Sequence, residues 1–265
     1  MRLPPEAEAA GYRLLSLLAT ESTNDDAVRA ARGGEPGLLW IVAREQLAGR
    51  GRHGRRWASP PGNLYASLLL DEPCDAAAAP RLGFVAGLAL HEAVERCTGA
   101  GMPRLSLKWP NDLLLDGAKV SGLLLEAHRI AATGRLAVVI GFGVNVVSAP
   151  TGTPYPAAAL RSVRADLEPD EVLAALSVSF ARNYAAWRDA ARSAGSGSFS
   201  AIRTLWLERA AGIGREVVLR LPSGDRRGIF AGMDGAGRLQ LQGADGLEMI
   251  DAGDLYLPAR PQDIA

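Results

Sequence analysis

The chain changes rhythm at Gly212, and that change limits the folds open to it. Upstream, apolar β-rich runs alternate with longer stretches of helical spacing. Tyr12 to Leu18, Leu38 to Arg44, Leu64 to Leu70, Leu105 to Trp109, Leu113 to Leu115, Val120 to Ala127 and Leu136 to Val147 read as strands. Ser22-Thr23-Asn24-Asp25 opens a helix: a Ser with an acid three residues on is a capping pattern. Asp25 and Asp26 also suit the positive end of the helix, which stops at Gly33-Gly34. Leu82 to Cys97, Glu171 to Arg192 and Phe199 to Ala210 read as further helices. Downstream, Val217 to Leu221, Gly228 to Ala231, Leu239 to Gln242, Leu247 to Ile250 and Asp254 to Leu257 are short strands. Turn formers such as Ser223-Gly224-Asp225 and Asp234-Gly235 separate them. Strands so closely spaced suggest a small barrel appended to a larger domain of sheet and helices. The Ser-Gly stretch from Ser193 to Ser198 reads as a short loop.

At 265 residues the chain buries about 73% of its unfolded surface, enough for one sizeable core and a small second unit. Its 48% apolar and 22% charged residues exclude wholesale disorder. Basic and acidic side chains balance at 29 each, so no global field draws the chain to nucleic acid or an anionic membrane. The apolar runs are too short to span a bilayer, and the N-terminus lacks a signal core. Cys74 and Cys97 make neither a disulfide framework nor a metal set, and no Cys/His cluster predicts structural zinc. His53, His91 and His128 read as a loop residue, a helix-face residue and an exposed strand end. The reading is a soluble protein of a reducing compartment.

Of the 29 basic residues only Lys108 and Lys119 are lysines, and both fall in one twelve-residue window. Compositional drift explains the excess of arginine. It does not explain why lysine survives here, where a compact point charge differs from a wide planar fork.

Three segments carry the chemistry. Gly49-Arg50-Gly51-Arg52-His53-Gly54-Arg55-Arg56-Trp57 packs four arginines and three glycines into nine positions. Glycine lets the backbone approach a ligand, and arginine offers paired donors to carboxylate or phosphate. A solvated basic loop, or one that binds RNA, has the same composition. In Lys108-Trp109-Pro110-Asn111-Asp112, the proline ends strand pairing and sets Asn111 and Asp112 at an exposed turn. A hairpin around Asp116-Gly117 then returns the chain with Lys119 on a strand lip near Asp112; a plain ion-pair hairpin fits the same residues. Gly141-Phe142-Gly143-Val144-Asn145 leaves one strand face bare for a flat ligand or another backbone. It lacks the third glycine and following helix of a dinucleotide fingerprint.

Together and in this order, Ser22-Thr23-Asn24, Gln46, GRGRHGRRW, KWPNDLL, KVSGLLLE and GFGVN resemble the biotin protein ligase family. The resemblance runs from Ser22 to the C-terminal strands. It implies an α+β fold: a mixed β-sheet catalytic domain flanked by helices, of the class II synthetase-like biotin/lipoate ligase type, over residues 1–211. A small SH3-like β-barrel over 212–265 follows. It also implies activation of biotin by Mg-ATP to biotinyl-5′-AMP, then transfer to one lysine of a biotin carboxyl carrier domain. That domain belongs to acetyl-CoA carboxylase or a related carboxylase. Carried over by position, Ser22, Thr23, Asn24 and Gln46 line the biotin ureido site, and Gly122 belongs to the biotin pocket. Arg50, Gly51 and Arg52 lie in a loop closing over biotin and its adenylate, and Lys119 touches the carboxylate and α-phosphate. Asn111 and Asp112 serve the nucleotide, its Mg2+ and the incoming lysine. Arg55, Trp57, Lys108 and Asn145 reach the nucleotide. The catalytic set is Lys119, Asp112, Arg50 and Arg52, with no protein-held metal.

The residue types suit that chemistry. Carboxylate attack on the α-phosphorus brings two anions together, and arginine and lysine offset their repulsion. A neutral ureido ring needs Ser, Thr, Asn and Gln in a dry pocket. Only 21 residues precede Ser22, with no helical spacing long enough for the DNA-binding helix-turn-helix of the family's repressors. The expectation is a monofunctional, cytoplasmic ligase with no DNA or membrane partner. Ala158-Ala159-Leu160 stands where many members carry Thr-Ser-Leu, so those hydroxyls are missing. The rivals are a lipoate ligase, a nucleic-acid binder using the Arg/Gly loop, and a biotin-binding module without turnover.

Overall fold

The computed structural model describes residues 1–71, 74–100, 104–194 and 199–258. A seven-stranded mixed sheet organises the larger part. Its strands are β1 (Arg13–Thr20), β2 (Leu39–Gln46), β3 (Leu64–Asp71), β4 (Leu105–Lys108), β5 (Asp112–Leu115), β6 (Ala118–Arg129) and β7 (Leu136–Val144). They lie in the order β1-β2-β3-β7-β6-β5-β4. β1 and β2 are parallel and every other neighbour is antiparallel. The helices are α1 (Pro5–Ala9), α2 (Thr23–Arg32), α3 (Arg81–Thr98), α4 (Pro169–Ala194) and α5 (Phe199–Glu208). The short α1 is an element the sequence reading lacks. The loop expected at 193–198 begins inside α4, and its remainder lies outside the described residues.

Alternation along the strands divides the sheet into two unlike faces. On one, Trp40, Leu68, Ile140 and Phe142 pack in the main core with Val85 and Leu88 of α3 and Leu176 and Phe180 of α4. Trp40 meets Phe142 at 5.4 Å with the rings tilted, and Phe180 at 6.0 Å in the edge-on geometry aromatic rings favour. On the other face, the parallel β1–β2 pair needs a crossover, and α2 supplies it. Ala27, Val28 and Ala31 of α2 cover Leu39, Ile41, Leu69, Ala137 and Val139. α2 is only ten residues long, so this cover stops before the end of β7. Beyond it, the same face shows Ser67, Gly141, Gly143 and Gly122. The functional site sits there.

The C-terminal sheet consists of β8 (Glu216–Leu221), β9 (Gly224–Met233), β10 (Leu239–Gly243), β11 (Gly246–Ile250) and β12 (Asp254–Tyr256). It is antiparallel in the order β11-β10-β9-β8-β12. The strands fall where expected, but the sheet is open: β11 and β12 are its two edges and do not pair. A three-residue β12 is too short to close a barrel. The sheet is docked firmly on the larger domain. Trp109 Nε1 donates to the Gly237 carbonyl at 3.1 Å, and a Cβ on Gly237 would meet Phe84 at 2.5 Å. Residues 209–211 also bond to Leu107 on the free edge of β4. His91 lies on α3 as expected, buried against the Leu105 carbonyl, and His128 is half-buried rather than exposed. Among the described residues no helix is long and apolar enough to cross a membrane.

Candidate active site

The bare part of the sheet forms the floor of an open cleft. Ser22, Thr23, Asn24, Gln46, Arg50, Gly51, Arg52, Arg55, Trp57, Lys108, Asn111, Asp112, Lys119 and Gly122 all line it. Asn145 does not. It is buried behind the wall, where its side chain donates to the carbonyls of Ala158 and Lys119 at 3.2 and 3.5 Å and braces the start of β6. Six basic side chains line the cleft against two acidic ones, so its field favours an anion.

One end is neutral and polar. Ser22 caps α2, its hydroxyl accepting from the Asp25 amide, which leaves Thr23 and Asn24 at the head of the helix. Thr23 donates through its amide and hydroxyl to Gln46 Oε1 at 2.9 and 3.0 Å, and Gln46 Nε2 donates to Ser59 at 3.1 Å. Asn24 Nδ2 donates to Glu126 at 2.6 Å. Ser67 Oγ lies 2.7 Å from Thr23 Oγ1 and 2.6 Å from Asn24 Oδ1. Each buried polar group is thus held in one orientation by another, which rigidifies the pocket. A Cβ on Gly141 would collide with Asn24, so that glycine is what admits the asparagine to the sheet floor.

At the centre, Asp112 lies between the two lysines, 2.7 Å from Lys119 Nζ and 2.9 Å from Lys108 Nζ. Asn111 sits half-buried in the turn after Pro110, but Asp112 is the first residue of β5, paired with Lys108 and buried rather than at an exposed turn. The β5–β6 hairpin folds Lys119 back over it. Burial raises its carboxyl and the two ammonium groups outweigh that, so Asp112 ends below the ordinary carboxylate range. Burial also lowers Lys119, against the pull of Asp112. The rings of Trp57 and Tyr155 flank Lys119 Nζ at 5.4 and 5.2 Å, within cation–π range.

The arginine segment is a small hairpin. Gly51 N bonds to Arg55 O at 2.7 Å and Trp57 N to Gly49 O at 2.9 Å. His53, with φ 57°, and Gly54, with φ 70°, form its tip. Arg50 donates to both carboxylate oxygens of Asp25 on α2, which holds that carboxyl below its usual range. Arg52 donates to Asn111 Oδ1 and to the Gly253 carbonyl, each at 3.2 Å. The bare strand face receives the Trp57 indole, which lies against both Gly122 and Gly143.

Sequence reasoning missed Tyr155, Ser67, Glu126 and the C-terminal trio Asp254, Leu255 and Tyr256, all at or beside the cleft. For Tyr155, an aromatic between Pro154 and Pro156 was a usable signal; the trio carried none.

The mixed sheet thus carries a cleft at a helix N-terminus, with a neutral polar pocket and a cationic hairpin. The chain matches the biotin/lipoate A/B protein ligase family over residues 20–145 and the biotin protein ligase C-terminal domain over residues 212–257. It is 39% identical over 246 residues to a biotin--[acetyl-CoA-carboxylase] ligase of Paracoccus denitrificans, covering 91% of this chain and 98% of that one. A ligase of the same name from Mycobacterium tuberculosis is 32% identical, covering 92% and 89%. The structure of the Aquifex aeolicus biotin protein ligase in complex with biotin and ATP is similar at TM-score 0.77 and 28% identity, covering 92% and 97%. The chain belongs to the biotin protein ligase family.

Proposed function

We propose that this protein activates biotin with ATP and passes it to a lysine of a carboxylase carrier domain. The observation that carries the reading is the buried Lys108–Asp112–Lys119 cluster, set where the neutral polar pocket meets the arginine hairpin. A neutral ureido ring at Thr23, Asn24 and Gln46 leaves the biotin carboxylate directed at Lys119. There the ammonium and the guanidinium groups of Arg50 and Arg52 offset the repulsion between carboxylate and α-phosphate. The carboxylate oxygen attacks the α-phosphorus and the bond to pyrophosphate breaks, giving the mixed anhydride. In the second step the carrier amine attacks the acyl carbon, AMP leaves, and Asp112 orients the amine or takes its proton.

Trp57, Arg55 and Lys108 border the nucleotide side. Asn145 acts through the strand that presents Lys119. Among the described residues no three His, Cys, Asp or Glu gather as a metal set, and both cleft carboxylates already face cations. Mg2+ is read as the counter-ion of ATP, with Asn111 and Asp112 serving the nucleotide and its metal. Residues 1–211 serve as the catalytic domain and those from 212 as a C-terminal domain that closes one side of the cleft. The acceptor is read as a carrier of the acetyl-CoA carboxylase type and the site of action as the cytoplasm, without DNA as a partner.

The test is ATP–pyrophosphate exchange with Mg2+ and either biotin or lipoate, followed by transfer of label to a carrier domain. Exchange that depends on biotin is expected. Exchange with lipoate alone would overturn the substrate, and exchange with neither would reduce the site to a binding pocket.

A further inference from the structure

The two parts of the molecule meet at Asp254, the first residue of β12. Its Oδ1 lies 2.9 Å from Arg55 Nη2 and 3.9 Å from Arg52 Nη1, and the Gly253 carbonyl accepts from Arg52. The C-terminal fold sets where this carboxylate stands. β12 pairs with β8 through Asp254–Arg220, Leu255–Leu219 and Tyr256–Val218, and Leu255 is buried beneath it. A Cβ on Gly253 would meet Leu221 at 2.7 Å, so the turn before β12 is also packed tight.

The hairpin needs such a support. Its guanidinium groups repel one another, its tip carries no apolar anchor before Trp57, and within it the backbone is closed by three bonds, Gly51 to Arg55, Arg55 to Arg52 and Trp57 to Gly49. Asp25 holds one flank through Arg50. On the other flank Asp254 is the acidic partner, shared by two arginines. An isolated exposed ion pair contributes little, but Asp254 is 26% exposed and Arg52 only 18%, and the pair is part of a network.

We propose that Asp254 is a positioning residue for adenylation: it ties the arginine hairpin to the C-terminal sheet, so that retention of biotinyl-5′-AMP depends on a carboxylate from the second domain. The proposal rests on the ligase reading above. Asp254 acts through Arg55 and Arg52 and makes no contact of its own with the reacting atoms.

The test compares the full-length protein with Asp254→Asn and Asp254→Glu. Three readouts are taken: trypsin cleavage within the hairpin without ligand, the lifetime of enzyme-bound biotinyl-5′-AMP, and KM against kcat for ATP in pyrophosphate exchange. Asp254→Asn is expected to speed hairpin cleavage and adenylate release by about fivefold, the factor of roughly 1 kcal/mol, and to raise the KM for ATP. Biotin binding without ATP and the Tm stay near the wild type. Asp254→Glu, which keeps the charge, restores most of the lifetime. Should Asp254→Asn fail to fold, Asp254→Ser removes the same carboxylate with a smaller side chain and must shorten the lifetime equally. Unchanged cleavage and lifetime in Asp254→Asn, or an equal loss in Asp254→Glu, overturns the proposal. Wild-type protein that shows no biotin-dependent exchange sinks the ligase reading itself. Wild-type exchange beside an unaltered Asp254→Asn sinks only the positioning role.

Discussion

Trp57 lies so close to Gly143 that a Cβ on the glycine would come within 2.5 Å of indole Cε2 and 2.6 Å of Nε1. The indole is placed by the hairpin, and the glycine by the pairing of β7 with β3 and β6. Gly143→Ala therefore forces the tryptophan off the sheet while leaving the strand able to form. Trp57 is half-buried and the other four tryptophans are buried, so fluorescence quenching by acrylamide reports mainly on this residue. The expected result is greater quenching and a KM for ATP raised about tenfold, or 1.4 kcal/mol. Wild-type quenching and KM together would show that the contact does not matter.

Lys119 occupies a slot that a guanidinium does not fit. Its side chain is 14% exposed, its Nζ touches Asp112, and Trp57 and Tyr155 flank it. A Cβ on Gly122 would come within 3.1 Å of Nζ and 3.2 Å of the Trp57 ring, so the lysine lies directly against the glycine. Lys119→Arg keeps the charge, yet should slow adenylate formation at least about tenfold, or 1.4 kcal/mol. Pyrophosphate exchange measures it, and a near-normal rate would remove the argument that the site needs a point charge.

What the sequence revealed of this site was what lies close along the chain. The arginine hairpin, the turn after Pro110 and the helix start at Ser22 each owe their form to neighbours in sequence. Their motifs therefore predicted them together with their residues. Ser67 and Glu126 were hidden because their role depends on strand parity and pairing register, which bring them under Asn24 from β3 and β6. Asp254 was hidden because its partners lie some two hundred positions away. Asn145 was misplaced for a related reason. Its motif set it near the cleft, but it lies just past the end of β7, with its amide on the Lys119 and Ala158 carbonyls. The C-terminal strands were legible from their turns, whereas closure of the sheet depends on contacts between edges that no turn encodes.

Asp112 opposes the effect of burial on Lys119. Asp112→Asn removes that opposition, so the Lys119 ammonium loses its proton at lower pH than in the wild type. If adenylation requires the charged lysine, the alkaline limb of the residual exchange activity moves towards neutrality. Pyrophosphate exchange across the alkaline range reads it. A limb that stays in place, or moves upward, would mean that another group sets it.

Asp234 orders the β9–β10 turn that presents Gly237 to Trp109 and Phe84, and so bears on how the two domains dock. Its Oδ1 accepts from the amides of Ala236 and Arg238, each at 2.9 Å, and its Oδ2 accepts from Arg238 Nε at 2.8 Å. Burial pushes the carboxyl up, but these bonds outweigh it and hold Asp234 below the usual carboxylate range. A depressed carboxyl stabilises the fold fully above its unfolded value of 3.8, and the stabilisation is lost as pH falls through the folded value. Asp234→Asn keeps the acceptor for the two amides but loses the charge and the second oxygen that accepts from Arg238 Nε. It should therefore cost about 1 kcal/mol at pH 7, with the deficit shrinking below about pH 4. Urea unfolding at both pH values measures the difference, and an equal deficit at each would assign the cost to lost packing instead of the carboxylate.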